Sequence, residues 1–162
     1  MIPIVTLKSS LRAVLFLFTT ILAAAHAAAA DKPVLVVFVC EHGTVKSVVA
    51  AAQFNHLAKQ RGIKAEAVAR GINLESEIPA VVVTGLKKDG LAPLEMKPTA
   101  FSQADVDGAA CIVAMCELPK KFAQNSNLSS WTDIPPVTVD YEKARTALVE
   151  HIGVLLDALA HR

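Results

Sequence analysis

Cys40-Glu41-His42-Gly43-Thr44-Val45-Lys46-Ser47 places a cysteine, a cation and a hydroxyl within eight residues, between an apolar run and a helical pattern. A loop of that kind, leading from a strand into a helix, gathers the unpaired amides of the first helical turn at the positive end of the helix dipole. A tetrahedral oxyanion fits such a place, and the same field favours a thiolate over a thiol. Gly43 permits the sharp turn. The competing reading of Cys40 is a buried cysteine at a strand end, a common fate for that residue.

The flanking elements must hold this loop. Val34-Leu35-Val36-Val37-Phe38-Val39 is continuously apolar and reads as a strand buried on both faces of a parallel sheet. Val48, Val49, Ala52, Leu57 and Ala58 keep helical spacing, so a helix is expected from about Ser47 to Arg61, stopped at Gly62. A second strand is expected over Ala65 to Ala69, ending at Arg70-Gly71. A second helix is expected after Pro79, from Ala80 to Lys88, stopped by Asp89-Gly90. Leu91 to Phe101 is a connection with Pro93 and Pro98, Gln103 to Asp107 a short helical turn, and Ala109 to Cys116 another buried strand. Lys120 to Ser130 is polar and reads as a surface loop. Trp131 to Pro136 ends in two prolines and is at most a short edge strand. In the last helix Ala144, Leu148, Ile152, Leu155, Leu156 and Leu159 form one stripe, with Asp140 placed to cap it. Strands alternating with helices predict an α/β fold, a parallel sheet with helices on both faces. Ligands of such sheets sit beyond the carboxyl ends of the strands, where Cys40 falls.

Residues 1–30 pose a separate problem. They carry Lys8 and Arg12, no acid, an uncharged run from Ala13 to Leu22 and an alanine-rich stretch to Ala30. That is the pattern of a secretory signal peptide, with small residues for cleavage at Ala27 or, preferably, Ala30. A membrane anchor needs ~20 apolar residues, which this segment barely reaches. The expected mature domain is therefore residues 31–162, periplasmic or secreted, with no stable membrane insertion after cleavage. Removing two of sixteen basic residues and none of fifteen acidic ones leaves a net charge of −1, no footprint for nucleic acid or an anionic membrane. The sequence holds no metal-ligand cluster and no nucleotide fingerprint, so no cofactor is expected, and it is silent on oligomeric state. Cys40, Cys111 and Cys116 are an odd count, which leaves at least one thiol unpaired within a single molecule.

The loop and its setting resemble the low-molecular-weight protein tyrosine phosphatases and the related arsenate reductases, whose signature is a hydrophobic strand, Cys-x5-Arg-Ser and a helix. Here the motif is Cys-x5-Lys-Ser. Ala69-Arg70-Gly71 stands where the family usually has Ser-Ala-Gly. The Pro79 to Gly90 helix, the strand Ile112 to Cys116, Trp131 with its proline turn and the Tyr141-Glu142-x-x-Arg145 helix follow in family order. The resemblance covers essentially all of residues 31–162 and implies a small flavodoxin-like fold with a four-stranded parallel sheet. It also implies roles. Cys40 would attack phosphorus and form a phosphocysteine. The backbone of Glu41, His42, Gly43, Thr44, Val45 and Lys46 would cradle phosphate or another tetrahedral oxyanion, and Ser47 would hydrogen-bond the sulfur. The implied substrate is a phosphomonoester of the phosphotyrosine kind.

Two departures bear on catalysis. Lys46 replaces the family arginine, so a point charge stands in for a bidentate fork. Pro136 occupies the position of the family's general acid, leaving Asp133 as the candidate replacement in the catalytic set with Cys40, Lys46 and Ser47. Glu41 is expected to face solvent, and His42 to be a surface histidine that could supply a proton near neutral pH. In the arsenate reductase branch Cys116 matches the first position of a cysteine relay, while Ala123 stands at the second. If the first and third strands are neighbours, Cys40 and Cys116 are expected side by side as a redox pair, with Cys111 in the core. The expected function is a phosphatase-like hydrolase. The alternatives are an oxyanion-binding module without turnover and a thiol redox protein.

Overall fold

The computed structural model describes residues 32–161, so the signal peptide expected over residues 1–30 lies outside the described residues. The apolar run after Pro33 is strand β1, Val34–Cys40. Val36, Val37, Phe38 and Val39 are all fully buried, as successive side chains on opposite faces of a covered strand must be. β1 pairs in parallel with β2, Ala65–Gly71, on one side and with β3, Cys111–Ala114, on the other. β4, Leu128–Ser130, adds in parallel to β3, so the sheet reads β2-β1-β3-β4.

Among the described residues five helices accompany this sheet: α1 Lys46–Gln60, α2 Ala80–Lys88, α3 Gln103–Gly108, α4 Lys120–Ala123 and α5 Tyr141–Ala160. On one face Val36 and Phe38 pack with Val49 and Phe54 of α1 and Leu148, Ile152 and Leu156 of α5. On the other, Val37 and Val39 pack with Phe101, Ile112 and Phe122. Each such large side chain contributes about 1.5–3 kcal/mol by leaving water. The α/β architecture with a four-stranded parallel sheet and helices on both faces is thus as expected. Among the described residues no helix is long and apolar enough to cross a membrane.

The fourth strand is where the structure differs. Residues 120–130, read as a surface loop, contain α4, seated by the buried Phe122, and the edge strand β4. Trp131 to Pro136, read as a short edge strand, contains none. A three-residue strand ending in two serines has no apolar repeat to betray it. It is held instead by backbone bonds at its ends, from Ile112 N–H to Asn127 C=O (2.9 Å) and from Trp131 N–H to Ala114 C=O (2.8 Å). β3 also stops at Ala114, two residues short of Cys116.

Asp140 caps α5 as expected, accepting from Lys143 N–H at 3.0 Å. Beside that cap, the carboxylate of Asp89 at the end of α2 accepts from Tyr141 Oη and from Gln53 Nε2, both at 2.7 Å, and so ties α2, α1 and α5 together. Burial, then the bond to Asp89, pushes the Tyr141 phenol far above its usual range. The ring packs against Gly85, where any β-carbon would overlap it. Alanine otherwise gains about 1 kcal/mol over glycine inside a helix. Because the Tyr141 ring is tethered, Gly85→Ala is expected instead to lower the unfolding free energy by about 1–3 kcal/mol in urea titration. A variant at least as stable as the parent would contradict this packing.

Candidate active site

β1 delivers Cys40 to the carboxyl end of the sheet, and α1 begins six residues later at Lys46. The turn between them is shaped by the segment that follows β2. Ile72 N–H donates to Glu41 C=O at 2.9 Å, Asn73 N–H to Glu41 C=O at 2.8 Å, and Glu75 N–H to His42 C=O at 3.3 Å. These bonds draw the loop carbonyls towards residues 72–75. Among the described residues the amides from Glu41 to Val48 donate to no protein acceptor, and Val45 supplies no side-chain cap to α1. The result is a run of free donors at a helix N-terminus.

Two glycines let this happen. Gly43 has φ of +70°, the left-handed region that favours glycine. Gly71, the last residue of β2, lies so close beneath it that a β-carbon on Gly71 would stand 2.5 Å from the Gly43 nitrogen.

Cys40 is buried at the floor of the loop, its Sγ 3.1 Å from Oγ of Ser47, which is itself fully buried. Lys46 Nζ donates to Ile134 C=O at 2.7 Å, tying the loop to the segment after Trp131. The buried Thr44 hydroxyl donates to Glu75 Oε2 at 3.0 Å. Asn73 Nδ2 donates to Glu41 Oε1 at 2.5 Å. His42 is exposed, with Nδ1 3.2 Å from Asn73 C=O and 3.7 Å from Glu75 Oε1. An open cavity of about 470 Å³ is lined from the loop by Cys40, Glu41, His42, Val45 and Lys46. Glu75, Pro79, Met115 and residues 136–138 form its other walls.

The loop therefore places Ser47 against Cys40, and Lys46 on the same cavity as Cys40. Glu41 lines the cavity rather than simply facing solvent, because Asn73 holds its carboxylate. Asp133 is a correction. It is absent from the cavity wall and pairs instead with His151 of α5, Oδ2 to Nε2 at 2.9 Å. That hydrogen bond, first among its causes, holds the Asp133 carboxyl below its ordinary range, the wrong direction for a proton donor. His151 in turn lies over the Trp131 ring, 4.8 Å between centroids. Pro136 does line the cavity, and it has no proton to offer.

The cysteine pair also differs from expectation. Val39 is level with Ala114, which puts Met115, not Cys116, beside Cys40. Cys40 packs in the cluster on the α1 face, and Cys116 against the cluster on the opposite face. Both are free thiols, while Cys111 is buried in the core as expected. Burial first, then the nearby charges of Cys40 and Glu41, pushes the Cys116 thiol up to about 11. Glu75, Asn73 and Met115 were not singled out from the sequence. The available signal was the rule that the ends of all parallel strands share one edge, which makes the residues just after β2 neighbours of the loop after β1.

The family model for the low molecular weight phosphotyrosine protein phosphatases matches residues 35–132, from within β1 to just past Trp131. The chain belongs to this family. A search of curated proteins by sequence finds no match. Among solved structures, YfkJ from Bacillus subtilis superposes with a TM-score of 0.71 at 21% identity, covering 80% of this chain and 96% of that one. A low molecular weight protein tyrosine phosphatase from T. tengcongensis gives 0.60 at 23% identity, covering 77% and 99%. An arsenate reductase in the phosphate-binding state gives 0.65 at 15% identity, covering 78% and 98%. The fold is thus shared by a phosphatase and an arsenate reductase. The family match stops one residue before Asp133, so the segment from Asp133 to Pro136, where the acid should stand, falls outside it.

The raised Cys116 thiol has a pH signature. A thiol titrating at about 11 is neutral at pH 7.5 and gains its reactive thiolate only as pH approaches that value. Alkylation of Cys116 by iodoacetamide, followed by peptide mass mapping, is expected to be at least about tenfold slower at pH 7.5 than that of an unstructured cysteine. It should accelerate up to pH 10 and beyond, provided the fold persists. Rapid alkylation at pH 7.5 would contradict the environment described.

Proposed function

We propose that this chain is an exported phosphatase that hydrolyses phosphomonoesters, of the phosphotyrosine kind, through a phosphocysteine on Cys40. The observation that carries this reading is Cys40 Sγ at 3.1 Å from the Ser47 hydroxyl, at the floor of a loop whose amides are free. The Cys40 thiolate attacks phosphorus, the ester P–O bond breaks, and water then cleaves the S–P bond. Ser47 supports the sulfur as nucleophile and as leaving group. The amides from Glu41 to Lys46 hold the non-bridging oxygens, and the Lys46 ammonium offsets their charge.

Lysine is a point charge where a guanidinium would clamp two oxygens, and Lys46 is already bonded to Ile134 C=O, so turnover is slow. A relay through Cys116 is less well supported, because its thiol lies on the other face of the sheet and is held neutral. The neighbour in a phosphate-binding state supports inorganic phosphate as a ligand of the same cradle. Export rests on the composition of residues 1–30.

Rapid mixing with p-nitrophenyl phosphate is expected to release a burst of nitrophenolate and to leave a phosphoryl adduct on Cys40, detected by mass mapping after acid quench. Cys40→Ser should abolish the burst. Turnover without an adduct on Cys40, or a burst retained in the variant, would refute the mechanism. For export, N-terminal sequencing of protein secreted from a bacterial host is expected to begin at Asp31. Recovery of uncleaved chain in the cytosol would rule export out.

A further inference from the structure

The proposed reaction needs a proton donor, and the two residues placed for it by the chain order do not serve. Pro136 lines the cavity without a proton, and Asp133 is turned to His151. The inference below rests on the phosphatase reading and supplies its missing part.

We propose that His42 is the general acid and base of this site, with Asn73 and Glu75 as the residues that position its ring. His42 lines the same cavity as Cys40 and Lys46. Its Nδ1 lies 3.2 Å from the Asn73 carbonyl, which can only accept, so Nδ1 carries a hydrogen and donates it. Nε2 is then the nitrogen through which a proton comes and goes. The carboxylate of Glu75 stands 3.7 Å from Nδ1 and sets a negative charge beside the ring. Glu75 is itself fixed, because the fully buried Thr44 donates to its other oxygen at 3.0 Å.

The other charged groups around the ring are acceptors or already engaged. Glu41 accepts from Asn73, Glu75 accepts from Thr44, and Lys46 donates to Ile134. Cys40 is the nucleophile. The His42 imidazole is left as the group able to act both as acid and as base.

The step balances. As Cys40 Sγ bonds to phosphorus and the ester P–O bond breaks, imidazolium Nε2–H gives its proton to the departing oxygen, which leaves as the alcohol. Neutral Nε2 then takes a proton from the water that attacks the phosphocysteine. The S–P bond breaks, the thiolate returns, phosphate departs and the imidazolium is restored.

The test compares two esters by burst kinetics on the purified protein. Phenyl phosphate needs its leaving oxygen protonated, whereas 2,4-dinitrophenyl phosphate departs readily as the phenolate. His42→Gln is expected to slow the phenyl phosphate burst by about 10²-fold, and by a factor at least about tenfold smaller with the dinitrophenyl ester. His42→Ala is expected to regain phenyl phosphate activity when free imidazole is added, a rescue that a merely structural residue would not show. Equal losses on both esters without imidazole rescue, or no loss on either, would overturn the assignment of His42 while leaving Cys40 as nucleophile. If the parent protein forms no phosphocysteine from either ester, the phosphatase reading falls and this assignment with it.

Discussion

The constraint on which the site depends is the close approach of the residues after β1 to the residues after β2. Ile72, Asn73 and Glu75 donate their amides to the loop carbonyls of Glu41 and His42, so those carbonyls face the protein. The amides of the same peptides are left free. Each peptide unit has one donor and one acceptor on opposite edges, so satisfying the acceptors on one side aims the donors to the other. Gly71 beneath Gly43 is what permits the distance. The anion site is therefore a product of sheet register as much as of loop sequence.

Around this cradle the side chains divide the work. Ser47 addresses the sulfur, Thr44 fixes Glu75, and Lys46 links the start of α1 to the segment after Trp131. Trp131 is itself anchored on Phe38 of β1, 5.6 Å between ring centroids. The far wall of the cavity is thus tied both to the core and to the loop. What that wall lacks is an acid, since Pro136 faces the cavity and Asp133 is committed to α5. The carboxylates beside the cavity, Glu41 and Glu75, come from the loop and from the segment after β2. The chemistry left to the site is concentrated there, on the side where His42 lies.

Much of this could be read in the sequence. The unbroken apolar run of β1, the helical spacing of α1 and the stripe of α5 are local patterns with strong periodicity, and the structure keeps all three. β4 was hidden because three residues at a sheet edge, two of them serine, need backbone partners rather than an apolar repeat. The cysteine pair went astray for a related reason. A strand taken to run to Cys116 invites the pairing of Cys40 with Cys116, but the register sets Met115 beside Cys40, and one residue changes the face. Asp133 looked available because its partner, His151, is eighteen residues on, and no local pattern links them. Glu75 and Asn73 act on the loop through strand pairing, which leaves no motif.

The central claim is that the free amides of this loop hold a tetrahedral oxyanion. Titration of the ¹⁵N-labelled protein with inorganic phosphate, followed by amide chemical shifts, tests it directly. The amides from Glu41 to Val48 are expected to shift together and saturate with a single affinity. Saturable shifts confined to other surfaces, with these amides unmoved, would contradict it.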